Sequence, residues 1–253
     1  IQVIADATDP NLAITRGSYA NGIITAAVAE LQQTGIQHPS ILMHSKLLYN
    51  PQMRSAYNFV PGVMGLILML ICAMMTSISI VREKETGTME ILLVSPMNSL
   101  FVILSKAVPY FALSILNLTT ILLLSVFVLD VPIAGSLTAL LGVSLIFIFV
   151  SLALGLLISN VTRTQVAAML ASGMVLMLPT IILSGIIFPI ESMPNILQGV
   201  SCFIPARWYV SIVRKIMIEG IPFMYVWKET AILLFMAIVL IGITTRTFKN
   251  RLE

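Results

Sequence analysis

Long runs without a single charge alternate with short charged links along this chain. Residues 59–81 carry no ionisable side chain and stop at Arg82. Residues 107–129 carry none and are bracketed by Lys106 and Asp130. Residues 131–162 and 164–190 are also uncharged, each long enough for a span plus part of a loop. A shorter run, 230–245, lies between Trp227-Lys228 and Arg246, which suit the two membrane–water boundaries. A bilayer core is crossed by roughly 20 apolar residues as helix. The pattern therefore predicts five transmembrane helices, at about residues 59–81, 107–129, 137–159, 166–188 and 229–245.

Residues 1–58 read differently. They hold Asp6, Asp9, Arg16, Glu30, Lys46 and Arg54. Residues 1–5 suit a short strand and Asp9-Pro10 a turn. Ala20, Ile23, Ile24, Ala27, Val28 and Leu31 recur at helical spacing, with Gly35 placed to stop the helix, and 41–49 suit a second strand. The expected fold is an all-α polytopic membrane protein with a small external α/β segment at 1–58 and a transmembrane domain at 59–253.

Pro179, Gly185, Pro189, Pro194 and Pro205 interrupt the segment before the last span. From 206 to 219, Arg207, Ser211, Arg214, Lys215 and Glu219 fall on one helical face and Tyr209, Val210, Ile212, Val213, Ile216 and Met217 on the other. That pattern predicts an amphipathic helix at the interface, stopped by Gly220. Within 189–227 a re-entrant arrangement and a plain interfacial loop both fit.

Composition agrees with a lipid solvent. The chain is 58% hydrophobic and 10% charged, with mean hydropathy +1.01. A soluble domain is about half apolar and about a quarter charged, so burying five such helices in one would need far more polar sequence. The net charge of +3 is too small to argue for nucleic acid. Cys72 and Cys202 read as apolar fillers.

Seven basic residues fall on each side of the predicted membrane. Arg82, Lys84, Lys106, Arg163, Arg246, Lys249 and Arg251 lie in short segments, whereas the other seven are spread over roughly a hundred residues. Orientation follows basic residues in short loops near span ends, which places the first set in the cytoplasm and 1–58 outside. The chain opens on Ile1, and residues 1–5 are too short and lack the basic flank to read as a signal peptide. The expectation is a further helix upstream, giving six spans.

Enzyme signatures are absent. His38 and His44 lie in the polar segment, and no H-E-x-x-H, G-x-S-x-G or phosphate-binding G-x-x-x-x-G-K-[ST] occurs. No metal site is expected, and the chain is read as a non-enzyme. The predicted spans lack the ionisable groups that proton or sodium relays use. Asn117 is the most polar side chain at depth and suits a helix–helix hydrogen bond. With Met174, Met177, Thr180 and Ser184 it makes up the candidate substrate pathway.

Residues 81–96, V-R-E-K-E-T-G-T-M-E-I-L-L-V-S-P, follow an uncharged span directly. Gly87 separates the charges from a turn carrying Met89, Leu92 and Leu93, and Pro96 ends it. A short helix along the membrane surface, its acids offered to a partner, fits. So does a solvated loop with snorkelling charges.

The run from Arg82 through Glu90, followed by Leu92, Leu93 and Ser95-Pro96, resembles the signature of ABC type 2 exporter permeases. So do Tyr49-Asn50-Pro51, Arg54-Ser55 and Val60-Pro61-Gly62. The segment Asp6-Ala7-Thr8-Asp9-Pro10 is similar to the bacterial drug-efflux branch. The resemblance implies a permease subunit of a bacterial inner (plasma) membrane exporter. Such a subunit moves an apolar or amphipathic substrate with ATP and Mg held by a partner ATPase. It implies a second permease copy or related permease, with a periplasmic adaptor as a further candidate partner. Arg82, Glu83, Glu85, Gly87, Thr88, Glu90 and Pro96 become the ATPase-coupling residues within a cytoplasmic loop at 82–106. A non-transporting membrane scaffold and an ion-coupled secondary transporter remain the alternatives.

Overall fold

The computed structural model describes residues 2–8, 10–33, 44–87 and 99–249. The chain divides into two units, Ile1–Phe59 and Val60–Glu253, each of which is described by itself.

In the first unit, β1 (Gln2–Asp6) pairs in parallel with β2 (His44–Leu48), Gln2 facing His44 and Asp6 facing Leu48. The crossover is α1 (Pro10–Gln33), which begins ten residues ahead of the apolar spacing that announces it. Pro10 suits a first helical position because its missing N–H leaves no intrahelical bond unmade. After β1, Asp6 accepts hydrogen bonds from the N–H and hydroxyl of Thr8 at 2.9 and 2.6 Å. Asn50 closes the turn that leads out of β2. It accepts from the Arg54 N–H at 2.9 Å and donates to the Arg54 carbonyl at 3.0 Å. The Tyr49-Asn50-Pro51 motif thus has a local structural purpose: a buried side-chain clasp just before the next helix.

The second unit is helical. It contains most of α2 (Ala56–Glu85), then α3 (Ser99–Phe127), α4 (Leu137–Val161), α5 (Gln165–Ser172), a π-helical turn (Gly173–Met177) and α6 (Leu178–Leu183). Next come α7 (Asn195–Ser201), α8 (Pro205–Met217) and α9 (Trp227–Lys249). Five helical stretches are long and apolar enough to cross a membrane: Ala56–Glu85, Ala107–Phe127, Leu137–Val161, Gln165–Leu183 and Trp227–Thr244. The π turn has a local cause. Pro179 donates no N–H to Val175 and its ring crowds that carbonyl, so the turn before it widens.

α4 is the central helix, with α9, α8 and α3 packed around it. The backbones of α2 and α4 nearly touch. A Cβ added to Gly155 would stand 2.4 Å from the carbonyl oxygen of Ala73. Such an approach is how membrane helices associate where lipid supplies no hydrophobic drive between them.

α7 and α8 make a sharp bend of 88°. The apolar face of α8 is closed by protein. Tyr209 is fully buried, stacks on Phe147 of α4 at 4.0 Å between ring centroids, and shares a 2.8 Å hydrogen bond with Ser144. Val210, Ile212, Val213, Ile216 and Met217 are buried beside it. The polar face is engaged as well: Arg214 donates to the Gly185 carbonyl at 3.2 Å, and Lys215 pairs with Glu229 of α9 at 2.6 Å. Gly220 ends the element at φ +67°, a left-handed conformation that glycine adopts without strain.

Candidate functional site

The charged end of α2 brings four helices together. The expected loop over 82–106 is helical at both ends, because α2 continues through Glu85 and α3 has begun by Ser99. Nothing in 82–85 breaks a helix, and Arg82 and Lys84 in its last turn complement the negative end of the helix dipole. The turn arrives at Gly87, where φ is +73° and the space around the α-carbon is open. A side chain there would meet backbone strain but no neighbour.

Lys84 and Glu85 grip the turn between α4 and α5 from both sides. Lys84 donates to the carbonyl of Ser159 in the last turn of α4. Glu85 accepts from the Gln165 N–H at 2.8 Å and from the Gln165 side-chain amide. The cation sits at the negative end of one helix and the carboxylate at the positive end of the next, so both charges complement helix dipoles. Thr164 caps α5 by accepting from the Ala167 N–H at 3.2 Å. Farther along, Ser77 of α2 and Ser172 of α5 share a hydrogen bond at 2.9 Å, and Cys72 of α2 meets Ser114 of α3 at 3.0 Å. α2 is thereby tied to α3, α4 and α5.

Beside this grip lies a cleft of about 490 Å³, lined by Met75, Ile78, Ser79, Arg82, Glu83 and Thr86 of α2, Tyr110 of α3 and Gln165 of α5.

Of the residues that the sequence marks for coupling, Arg82 and Glu83 line the cleft, Glu85 holds α5, and Gly87 sets the bend. Thr88, Glu90 and Pro96 lie outside the described residues. The five pathway candidates differ in exposure. Met174 and Met177 are exposed at 66% and 43%, while Thr180 and Ser184 are buried with hydroxyls that have no hydrogen-bond partner. Asn117 is half-buried on α3, its amide nitrogen also without a partner. Sequence reasoning missed Ser159, Thr164 and Gln165. A Thr opening an uncharged run is a legible cap signal, but nothing local pairs Gln165 with a residue 80 positions away. Among the described residues no three His, Cys, Asp or Glu side chains gather to hold a metal.

A bundle of membrane-length helices, with charged groups clasping the ends of two of them, is the architecture of a polytopic membrane protein. The chain belongs to the ABC-2 family: the family model for "ABC-2 family transporter protein" matches residues 1–246. It is similar to the "Probable multidrug ABC transporter permease YbhS" of Escherichia coli K12, 36% identical over 256 aligned residues that cover all of this chain and 68% of that protein. It is also similar to the E. coli K12 "Inner membrane transport permease YhhJ", at 30% identity over 96% of this chain and 64% of that protein. A third relative is "ABC transporter G family member 20" of Dictyostelium discoideum, at 28% over 87% of this chain and 30% of that protein. No solved structure matches. The chain is thus the membrane subunit of an ABC transporter, a multi-pass permease of a family that implies an ATPase partner and usually a permease pair.

Proposed function

We propose that this permease moves an apolar or amphipathic substrate outward across the bacterial inner membrane, driven by ATP hydrolysed in a partner subunit. The observation that supports this reading best is the grip of Lys84 and Glu85 on the turn between α4 and α5. A segment that docks on a moving ATPase must be rigidly linked to the spans, and here its root is bonded to the ends of two of them. In this reading Arg82 to Gly87 form the root, and Thr88, Glu90 and the chain up to Pro96 make the docking surface. The charged end of α2 faces the cytoplasm and residues 1–58 face outward. The first two relatives are named as a multidrug and an inner-membrane permease, which favours a drug-like or lipid-like substrate. The uncharged spans favour the same, since a small ion in such a lining would lose its hydration without replacement.

Co-purification tests the proposal. The wild-type chain should bring down an ATP-binding subunit, and Gly87→Val should lower that recovery while the permease reaches the membrane at its usual level. A branched residue in left-handed backbone costs about 1–2 kcal/mol locally, enough to redirect the docking segment without unfolding the bundle. Wild-type and variant chains that both purify without any ATP-binding partner would defeat the reading.

A further inference from the structure

We propose that the cleft at the charged end of α2 is a binding site for one bilayer lipid with a zwitterionic phosphoethanolamine head. The lining changes character along its length. Met75, Ile78, Ser79, Arg82, Glu83 and Thr86 recur at helical spacing on one face of α2. From Met75 to Arg82 the helix rises about 10 Å, passing from a thioether and an alkyl chain to a guanidinium. Tyr110 adds an aromatic wall, and Thr86 and Gln165 add neutral polar groups beside Arg82. A volume of about 490 Å³ lies within the range of small-ligand sites.

The two charges select the head. Adjacent residues on a helix do not face each other, so Arg82 and Glu83 border the cleft from different directions. Arg82 is exposed, and its guanidinium has no partner among the described residues. Its planar donors match a phosphate diester. Glu83 makes an interaction of its own, yet a carboxylate accepts at about four lone-pair sites and can also take a primary ammonium. A purely anionic head would meet Glu83 as a like charge. A trimethylated ammonium would offer Glu83 no N–H. A head with one phosphate and one primary ammonium satisfies both residues, while its chains follow Met75, Ile78 and Tyr110 into the bilayer. Gln165 lines the cleft while bonded to Glu85, so the bound lipid would brace the contact between α2 and α5. The leaflet it comes from, the cytoplasmic one, rests on the orientation proposed above; the binding itself needs neither ATP nor a partner subunit.

The test uses the full chain purified into mixed micelles with phosphoethanolamine, phosphocholine and phosphoglycerol lipids of identical acyl chains, and native mass spectrometry to count what stays bound. Phosphoethanolamine should be retained about tenfold over either competitor, the weight of one charge-assisted hydrogen bond. Arg82→Gln should abolish retention. Glu83→Gln should remove the preference over phosphoglycerol while leaving binding. Ile78→Trp, which fills the apolar end without touching either charge, should also expel the lipid, with size-exclusion profiles reporting that each variant is folded. Equal retention of the three lipids, phosphoethanolamine retention unchanged in the Arg82 variant, or a preference over phosphoglycerol unchanged in the Glu83 variant, would overturn the site. Displacement by soluble glycerophosphoethanolamine as effective as by the lipid would overturn the bilayer as its source.

Discussion

Gly155→Ala should destabilise this protein, and Gly142→Ala on the same helix should not. At Gly155 the new methyl would lie 2.4 Å from the Ala73 carbonyl oxygen and 2.9 Å from the Ala73 α-carbon. Ordinary contact is about 3.5 Å, so α2 and α4 must part by about 1 Å. The obstruction is backbone, and no side-chain rotation relieves it. Overpacking of this kind costs about 1–3 kcal/mol, and a backbone clash belongs at the upper end. Against it stands the helix preference for Ala over Gly, about 1 kcal/mol. The net expectation is a loss of about 1–2 kcal/mol. Gly142 has nothing within 4 Å of its added carbon, so there the propensity gain acts unopposed. Unfolding both variants in mixed micelles with a rising mole fraction of denaturing detergent measures the difference. If both substitutions shift the midpoint in the same direction, the close approach of α2 and α4 is wrong.

Three further outcomes follow from the packing and the clasp. Tyr209→Phe should cost about 1 kcal/mol in the same unfolding assay, since it removes one buried hydrogen bond while keeping the stack on Phe147. Lys215→Met and Glu229→Gln should couple by less than about 1 kcal/mol in a double-mutant cycle, because Lys215 keeps 32% of its side chain accessible. Glu85→Ala should leave insertion and ATPase recovery intact while transport per ATP falls, because Glu85 binds Gln165 inside the chain; loss of ATPase recovery instead would assign it to docking.

The spans were legible because an uncharged run of this length has few other solutions, and their centres fall inside the helices observed. Boundaries were less legible. The last turn of α2 looked like loop because its residues are charged, yet charges in a last helical turn are favourable when their sign suits the dipole. The pattern of α8 was visible to the residue, but amphipathicity states only that one face is apolar. It does not say that Phe147 and Ser144 cover that face. The motif at the end of α2 was visible as a motif. Its division into a pair that lines the cleft, a clasp and a bend was not, because Ser159 and Gln165 are distant in sequence and carry no signal of their own. Of the pathway candidates, Met174 and Met177 lie within the π turn and Thr180 follows it, a shift of helical phase that the residues around it do not announce.

The central claim, that this permease works by ATP hydrolysed in a partner, is tested most directly by transport in inverted vesicles holding the chain with its co-purified ATPase. A lipophilic dye should accumulate inside when ATP is supplied, and accumulation should persist when a protonophore collapses the proton gradient. Accumulation that needs no ATP, or that vanishes with the gradient while ATP remains, would contradict the account.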